Sequence, residues 1–318
     1  MTEHITKAVE ILRQGGLVAF PTETVYGLGA DAANESAIQK VFHAKGRPHD
    51  HPLIVHLAGM NQLNDWARDI SPAAQKLMQA FWPGPLTLIL KKQSRVLDLL
   101  TGGQDTIGLR IPNHPIAQHL LQAFGGGIAA PSANKFTHIS PTTAEDVQEE
   151  LGRKVDLILD GGVCEVGLES TIIDMSGDTP LVLRPGMITA EMMAEVLGVP
   201  VSSRQETTVR APGMHHLHYA PTTKTTLVES NTMAKFLQTL SSDELPVVVV
   251  SRHDPILPTL EKIHWVKMPA DAVHYAHDLY QTLRALDHQQ FKQILIEKIP
   301  HEPEWVAIQD RLEKASGR

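Results

Sequence analysis

Leu17-Val18-Ala19-Phe20 runs directly into Pro21-Thr22-Glu23-Thr24-Val25-Tyr26-Gly27-Leu28-Gly29, and a helical pattern follows at Glu35 to Ala44. The first four residues have the length and composition of a buried strand. A polar segment between a strand and a helix is where open α/β sheets bind ligands. Two hydroxyls, a carboxylate and a phenol in so short a stretch can line a pocket. The same residues also suit a plain turn, shaped by Pro and Gly with threonines as caps. Gly27 and Gly29 lack the third glycine of a dinucleotide fingerprint, and no Gly-Lys-Ser/Thr triplet occurs in the chain. Ordinary NAD and P-loop chemistry therefore lose support.

Outward from this segment, short apolar runs recur at Leu53 to Val55, Leu86 to Leu90, Ile107 to Ile111, Ile128 to Ala130, Leu157 to Leu159, Thr171 to Ile173 and Leu181 to Leu183. Helical patterns at Pro72 to Phe81, Pro115 to Phe124, Thr143 to Leu151 and Thr189 to Leu197 alternate with several of them. This mixture predicts an α/β domain over 5–198. The pattern lapses between Val199 and Thr223, read as a linker. It restarts with strands at Thr226 to Val228, Pro246 to Val250 and Ile294 to Ile296. Helices at Thr232 to Leu240, Val273 to Leu286 and Trp305 to Lys314 complete a smaller doubly wound domain over 224–318.

The chain has 318 residues, enough for two cores, and its 28 Lys+Arg against 36 Asp+Glu leave a charge of −8. That balance argues against direct, stable gripping of nucleic acid, so an anionic ligand needs a local cluster of cations. The single Cys164 rules out an internal disulfide and a Cys-based zinc site. Neither a secretory start nor an apolar run long enough to cross a membrane is present, so a cytoplasmic protein is expected.

Such cations exist. Lys45 and Arg47 flank Gly46 at a helix end, offering an anion clamp, although the helix dipole alone would explain one of them. Arg110 and Arg184 lie inside apolar strands, where an arginine needs an anionic partner, internal or bound. His56 ends another apolar strand, as a core histidine or facing a site. Ser132 and Asn134 in Pro131-Ser132-Ala133-Asn134 stand two apart, so an extended chain points both to one side. Ser140, before Pro141, also suits a helix start. His215, His216 and His218 look like metal ligands, but the segment lacks the carboxylate or fourth ligand zinc wants.

Together these motifs resemble the YrdC-like threonylcarbamoyl-AMP synthases in their long, two-domain form. The likeness rests on Phe20 to Ala30, Lys45-Gly-Arg-Pro48, Pro52 to His56, Trp82-Pro-Gly-Pro-Leu-Thr87, Arg110-Ile-Pro112, Pro131 to Asn134, Ser140-Pro-Thr142, Glu169 to Ile172, Leu183-Arg-Pro-Gly186, Pro212-Gly-Met214 and His218-Tyr-Ala-Pro221. It implies a twisted mixed sheet with helices forming a concave groove, then a smaller Rossmann-like α/β domain. The segment 199–223 would fold over the active site.

The implied reaction joins L-threonine, bicarbonate (or CO2) and ATP into threonylcarbamoyl-AMP and pyrophosphate, with Mg2+ accompanying ATP. The product would pass to a tRNA threonylcarbamoyl transferase complex. By resemblance, Lys45, Arg47, Ser132 and Asn134 form the catalytic signature. Arg47, His51, Thr106, Ser132, Ser140, Arg184, His218 and Tyr219 would bind ATP. Thr22, Thr24, His56, Arg110, Ala130 and Ser170 would hold threonine; no protein side chain is assigned to a metal. His51, the stretch Lys135 to His138, and Asp310 depart from the family pattern. The competing expectation is a double-stranded-RNA or ribosome-binding module without nucleotide turnover. A carbamoyltransferase of hydrogenase maturation would need zinc fingers, which one cysteine excludes.

Overall fold

A computed structural model describes residues 2–203, 207–214, 219–255 and 262–317. The chain divides into two compact units. The first comprises the chain up to Phe136 and Ser140–Met214; the second takes Thr137–Ile139 together with the chain beyond Met214.

The first unit is built on a ten-stranded mixed sheet. Its strands are β1 (Val18–Phe20), β2 (Gly27–Asp31), β3 (Ile54–His56), β4 (Ala67–Arg68), β5 (Leu86–Lys92), β6 (Thr106–Arg110), β7 (Ile128–Ala129), β8 (Leu157–Ile158), β9 (Thr171–Asp174) and β10 (Leu181–Arg184). They lie in the order β10-β9-β5-β6-β3-β7-β2-β1-β8, with β4 on β5. Parallel pairs (β3 with β6, β5 with β9) mix with antiparallel ones (β5 with β6, β3 with β7).

Two apolar clusters hold this sheet. One gathers Tyr26, Leu28, Ile38, Val41, Phe42, Leu77 and Leu88 among others, and the other packs Ile5, Leu12, Val18, Phe20, Leu120 and Leu121. Helix Thr2–Arg13 presents Ile5, Ala8, Val9 and Leu12 at helical spacing to the latter. Helix Glu35–Lys45 begins at Asn34, whose side chain accepts from Ala37 N, and ends at Gly46 in the left-handed conformation.

Within Phe20 to Gly29 the structure adds a strand that the sequence reading treats as loop. Gly27, Leu28 and Gly29 pair antiparallel with Phe20, Ala19 and Val18. Glycine is a poor strand former, which hides β2 from a propensity reading. Here its missing side chain is what permits pairing: a Cβ on Gly29 would lie 2.8 Å from Phe20 Cε1 and 2.9 Å from Val18 O.

The second unit has a four-stranded sheet of β11 (Thr225–Val228), β12 (Val247–Ser251), β13 (Ile263–Lys267) and β14 (Gln293–Glu297). Their order is β11-β14-β12-β13 and every pair is parallel. Helices Met233–Thr239, Ala272–Asp287 and Val306–Ala315 complete the expected α/β alternation. The edge strand β13 is absent from the sequence reading because Ile263-His-Trp-Val-Lys267 is only partly buried and lacks a clean apolar run. Asp310, a departure from the family pattern, pairs with Arg311 Nη1 and Lys314 Nζ at 2.6 Å each. Among the described residues no helix is long and apolar enough to cross a membrane.

Candidate active site

Strand register assembles one chemically dense face in the first unit. β3 and β6 run parallel with Ile54 beside Gly108 and His56 beside Arg110. Period two puts Thr106, Gly108 and Arg110 on the same side of β6. A Cβ on Gly108 would meet Ile89, Ile54 and Thr87 at 3.2, 3.4 and 3.5 Å, so these belong to that face as well. Ile54, Ile89 and Ile172 form an apolar patch there with Ala211, Leu183 and Val209. Part of the segment read as a linker therefore lies against this face, and Arg184 Nη1 donates to Pro212 O at 3.3 Å.

Arg110 is buried and closely held. Its Nε donates to Gly84 O at 3.2 Å, its Nη1 to Thr24 Oγ1 at 2.9 Å, and its Nη2 lies 2.8 Å from Glu23 Oε1. Thr22 ties the adjoining turn together: its Oγ1 donates to Val25 O at 2.7 Å and accepts from the backbone N–H of Thr24 and Val25, each at 3.2 Å. The threonines thus shape the turn, and Thr24 also anchors the arginine. Ala130, whose N–H donates to Ile54 O at 3.0 Å, follows the neighbouring β7. His56 shares the face with Arg110 and is buried, and its Nδ1 has no hydrogen-bond partner. Burial, with Arg110 nearby, pushes its pKa down to about 3, so the ring is neutral at physiological pH.

Beside this pair, Arg184 donates from Nε and Nη2 to Ser170 O at 3.1 and 2.9 Å and from Nη2 to Ser170 Oγ at 3.1 Å. Ser170 Oγ lies 2.8 Å from Thr87 Oγ1. Thr106 opens β6, four residues before Arg110.

Lys45 is not a solvated cation at a helix end. It is 3% exposed, and its Nζ donates at 2.5 Å to Ser132 O and Asn134 O, with Asn134 Oδ1 at 3.4 Å. Burial first, then Arg47, pulls its pKa well below the ordinary lysine value. Arg47 is also buried and donates from Nη2 to Pro52 O at 2.9 Å. Lys45 therefore meets the Ser132–Asn134 loop, while Arg47 holds the Pro52 carbonyl. Ser140 does not cap the next helix: Thr143 does, in a capping box with Asp146. The Ser140 hydroxyl is buried with no hydrogen-bond partner.

His51 turns its ring edge to Phe136 at 5.1 Å. Two departures from the family pattern thus pack on each other. Tyr219 belongs to the second unit, stacked on Tyr280 at 5.9 Å with the Arg311 guanidinium 5.0 Å from its ring centroid. His218, like His215 and His216, lies outside the described residues. The Cys164 thiol is buried, which pushes its pKa up to about 12 and leaves it a poor nucleophile. Among the described residues no group of three His, Cys, Asp or Glu side chains can hold a metal ion.

Two residues of the face are assigned to no ligand in the sequence reading, Glu23, named there only as a pocket-lining carboxylate, and Thr87. Both lie inside quoted motifs, but only the fold shows Glu23 against Arg110 and Thr87 against Ser170.

A mixed sheet with buried arginines, a buried lysine and a neutral imidazole grouped on and beside one face defines an α/β protein equipped for an anionic ligand. Residues 10–186 match the Sua5/YciO/YrdC family profile, described as telomere recombination, and residues 188–317 match the threonylcarbamoyl-AMP synthase C-terminal domain. Threonylcarbamoyl-AMP synthases of Pyrococcus abyssi and Bacillus subtilis are each 38% identical, over 98% of this chain and 93% of their own length. The crystal structure of P. abyssi Sua5 complexed with L-threonine superposes with a TM-score of 0.88 at 37% identity, covering 98% of this chain and 94% of that one. The chain belongs to the threonylcarbamoyl-AMP synthase family, in its two-domain form.

Proposed function

We propose that this protein makes threonylcarbamoyl-AMP and pyrophosphate from L-threonine, bicarbonate and ATP, the nucleotide entering with Mg2+. Its product would go to a tRNA-modifying threonylcarbamoyl transferase complex, and the protein would act in the cytoplasm. The observation that carries the reading is the parallel register placing neutral His56 beside Arg110, bordered by the Arg184–Ser170 pair. A carboxylate is recognised by a guanidinium, and a hydroxyl by a neutral imidazole and serine.

In this reading Arg110 takes the threonine carboxylate, while His56, Ser170 and the Ala130 backbone border its side chain. Thr22 and Thr24 hold the turn that positions Arg110. The carbamate then attacks the α-phosphate of ATP and displaces pyrophosphate. Lys45 and Arg47 meet the charge that builds on the phosphate oxygens. Binding polyphosphate returns to Lys45 the charge that burial disfavours. Arg184, Ser132, Asn134, Ser140, Thr106 and His51 border the nucleotide. Catalysis is positioning and electrostatic stabilisation, without a covalent intermediate. The test is pyrophosphate release from MgATP and bicarbonate, with L-threonine, L-serine or no amino acid. Threonine-dependent release supports the reading; release indifferent to the amino acid, or none from folded protein, refutes it.

A further inference from the structure

The Glu23–Arg110 contact is short, yet it is not a mutual hydrogen bond. Both side chains are almost wholly buried and their atoms lie 2.8 Å apart. Even so, neither Glu23 oxygen nor Arg110 Nη2 has a hydrogen-bond partner. Nor is Glu23 needed to orient the arginine, whose Nε and Nη1 are already fixed by Gly84 O and Thr24 Oγ1. What remains is an open donor, Nη2, beside an open acceptor, the Glu23 carboxylate. One buried cation and one buried anion side by side, each with unspent hydrogen-bonding capacity, complement an α-amino-acid zwitterion.

We propose that Glu23 binds the α-ammonium of the substrate amino acid and accepts its proton as the carbamate forms. This rests on the function proposed above. One ammonium proton passes to Glu23, and the freed nitrogen lone pair forms the N–C bond to bicarbonate. The C–OH bond breaks, and the departing hydroxide leaves as water with the second nitrogen proton. Glu23 then returns its proton to solvent. Arg110 holds the α-carboxylate throughout, so the pair shares the work by charge.

The first test needs no variant: calorimetric binding of L-threonine against 2,3-dihydroxybutanoate, in which a hydroxyl replaces the ammonium. Wild-type protein is expected to prefer threonine by about tenfold or more, the scale of one charge-assisted hydrogen bond. Equal binding of the two overturns the inference. Glu23→Gln, which keeps shape but cannot take a proton, is expected to lose that preference. It should also lower kcat for pyrophosphate release by about 100-fold, with KM for ATP little changed. Glu23→Asp should recover part of the rate. Retained preference and rate in Glu23→Gln overturn the inference while leaving the synthase reading intact. Failure of wild-type protein to bind threonine at all would overturn that reading, and this inference with it.

Discussion

Replacing Gly186 by alanine tests how tightly the proposed threonine site is built. The added Cβ would lie 2.4 Å from Thr171 N and 2.6 Å from Thr171 Oγ1, against an ordinary contact of at least 3.4 Å. About 1 Å of movement is therefore required, and the obstacle is largely backbone. Thr171 cannot yield freely, since its N–H donates to Pro85 O at 3.0 Å and its hydroxyl to Ile188 O at 2.7 Å. Overpacking of this kind costs about 1–3 kcal/mol, or several degrees of melting temperature for a unit this size. The start of β9 must shift, carrying Ser170 and loosening the bonds it accepts from Arg184. A 1 Å error in a positioning group costs about 100-fold in rate. The expected outcome is a lower melting temperature and kcat/KM for threonine reduced about 100-fold. Gly177→Ala is the control, because its Cβ would meet nothing within 4 Å. A Gly186→Ala enzyme with wild-type melting and kcat/KM would refute the argument that the Pro185-Gly186 turn sets the Ser170–Arg184 geometry.

Lys45→Ala should reduce pyrophosphate release by about 100-fold or more, and Lys45→Arg should fail to rescue it, because the Nζ sits among three oxygen acceptors too close for a planar guanidinium. Stability should fall on acidification through His56: its folded pKa of about 3 lies below the unfolded 6.5, so the unfolded chain binds more protons in between. Denaturation of His56→Gln from pH 7 to pH 4 should show a weaker loss than wild type, and identical slopes would contradict the burial argument. Tyr219→Ala removes a buried ring stacked on Tyr280 and faced by Arg311, so denaturant titration followed by tryptophan fluorescence should show the second unit destabilised by about 3 kcal/mol.

The sequence is legible where a local rule suffices. The apolar spacing of Glu35 to Ala44 and the stop at Gly46 give a helix that the structure ends one residue later, at Lys45. The valine run of β12 announces a buried parallel strand. Legibility fails where the deciding term is non-local. β2 is a strand because glycine fits against Phe20 and Val18, not because glycine favours strands. His56 and Arg110 are 54 positions apart in number, and only the parallel register of β3 on β6 makes them neighbours. The alternatives for Lys45 and Ser140, helix dipole and helix cap, are separated by burial and by the Thr143 capping box, neither of which spacing reveals. Thr137, in the stretch that departs from the family pattern, takes a φ of 71°, a conformation costly for a β-branched residue. Its carbonyl accepts from the Ala220 N–H at 3.0 Å, an ordinary backbone bond, so tertiary context overrides the local preference.

The central claim is that one enzyme joins threonine, a one-carbon unit and adenylate. Its most direct test is mass spectrometry of the nucleotide products after incubation with MgATP, L-threonine and 13C-bicarbonate. The account predicts an adenylate that carries both threonine and one 13C, formed together with pyrophosphate. An adenylate without the label, or pyrophosphate released with AMP alone when threonine is omitted, would contradict it.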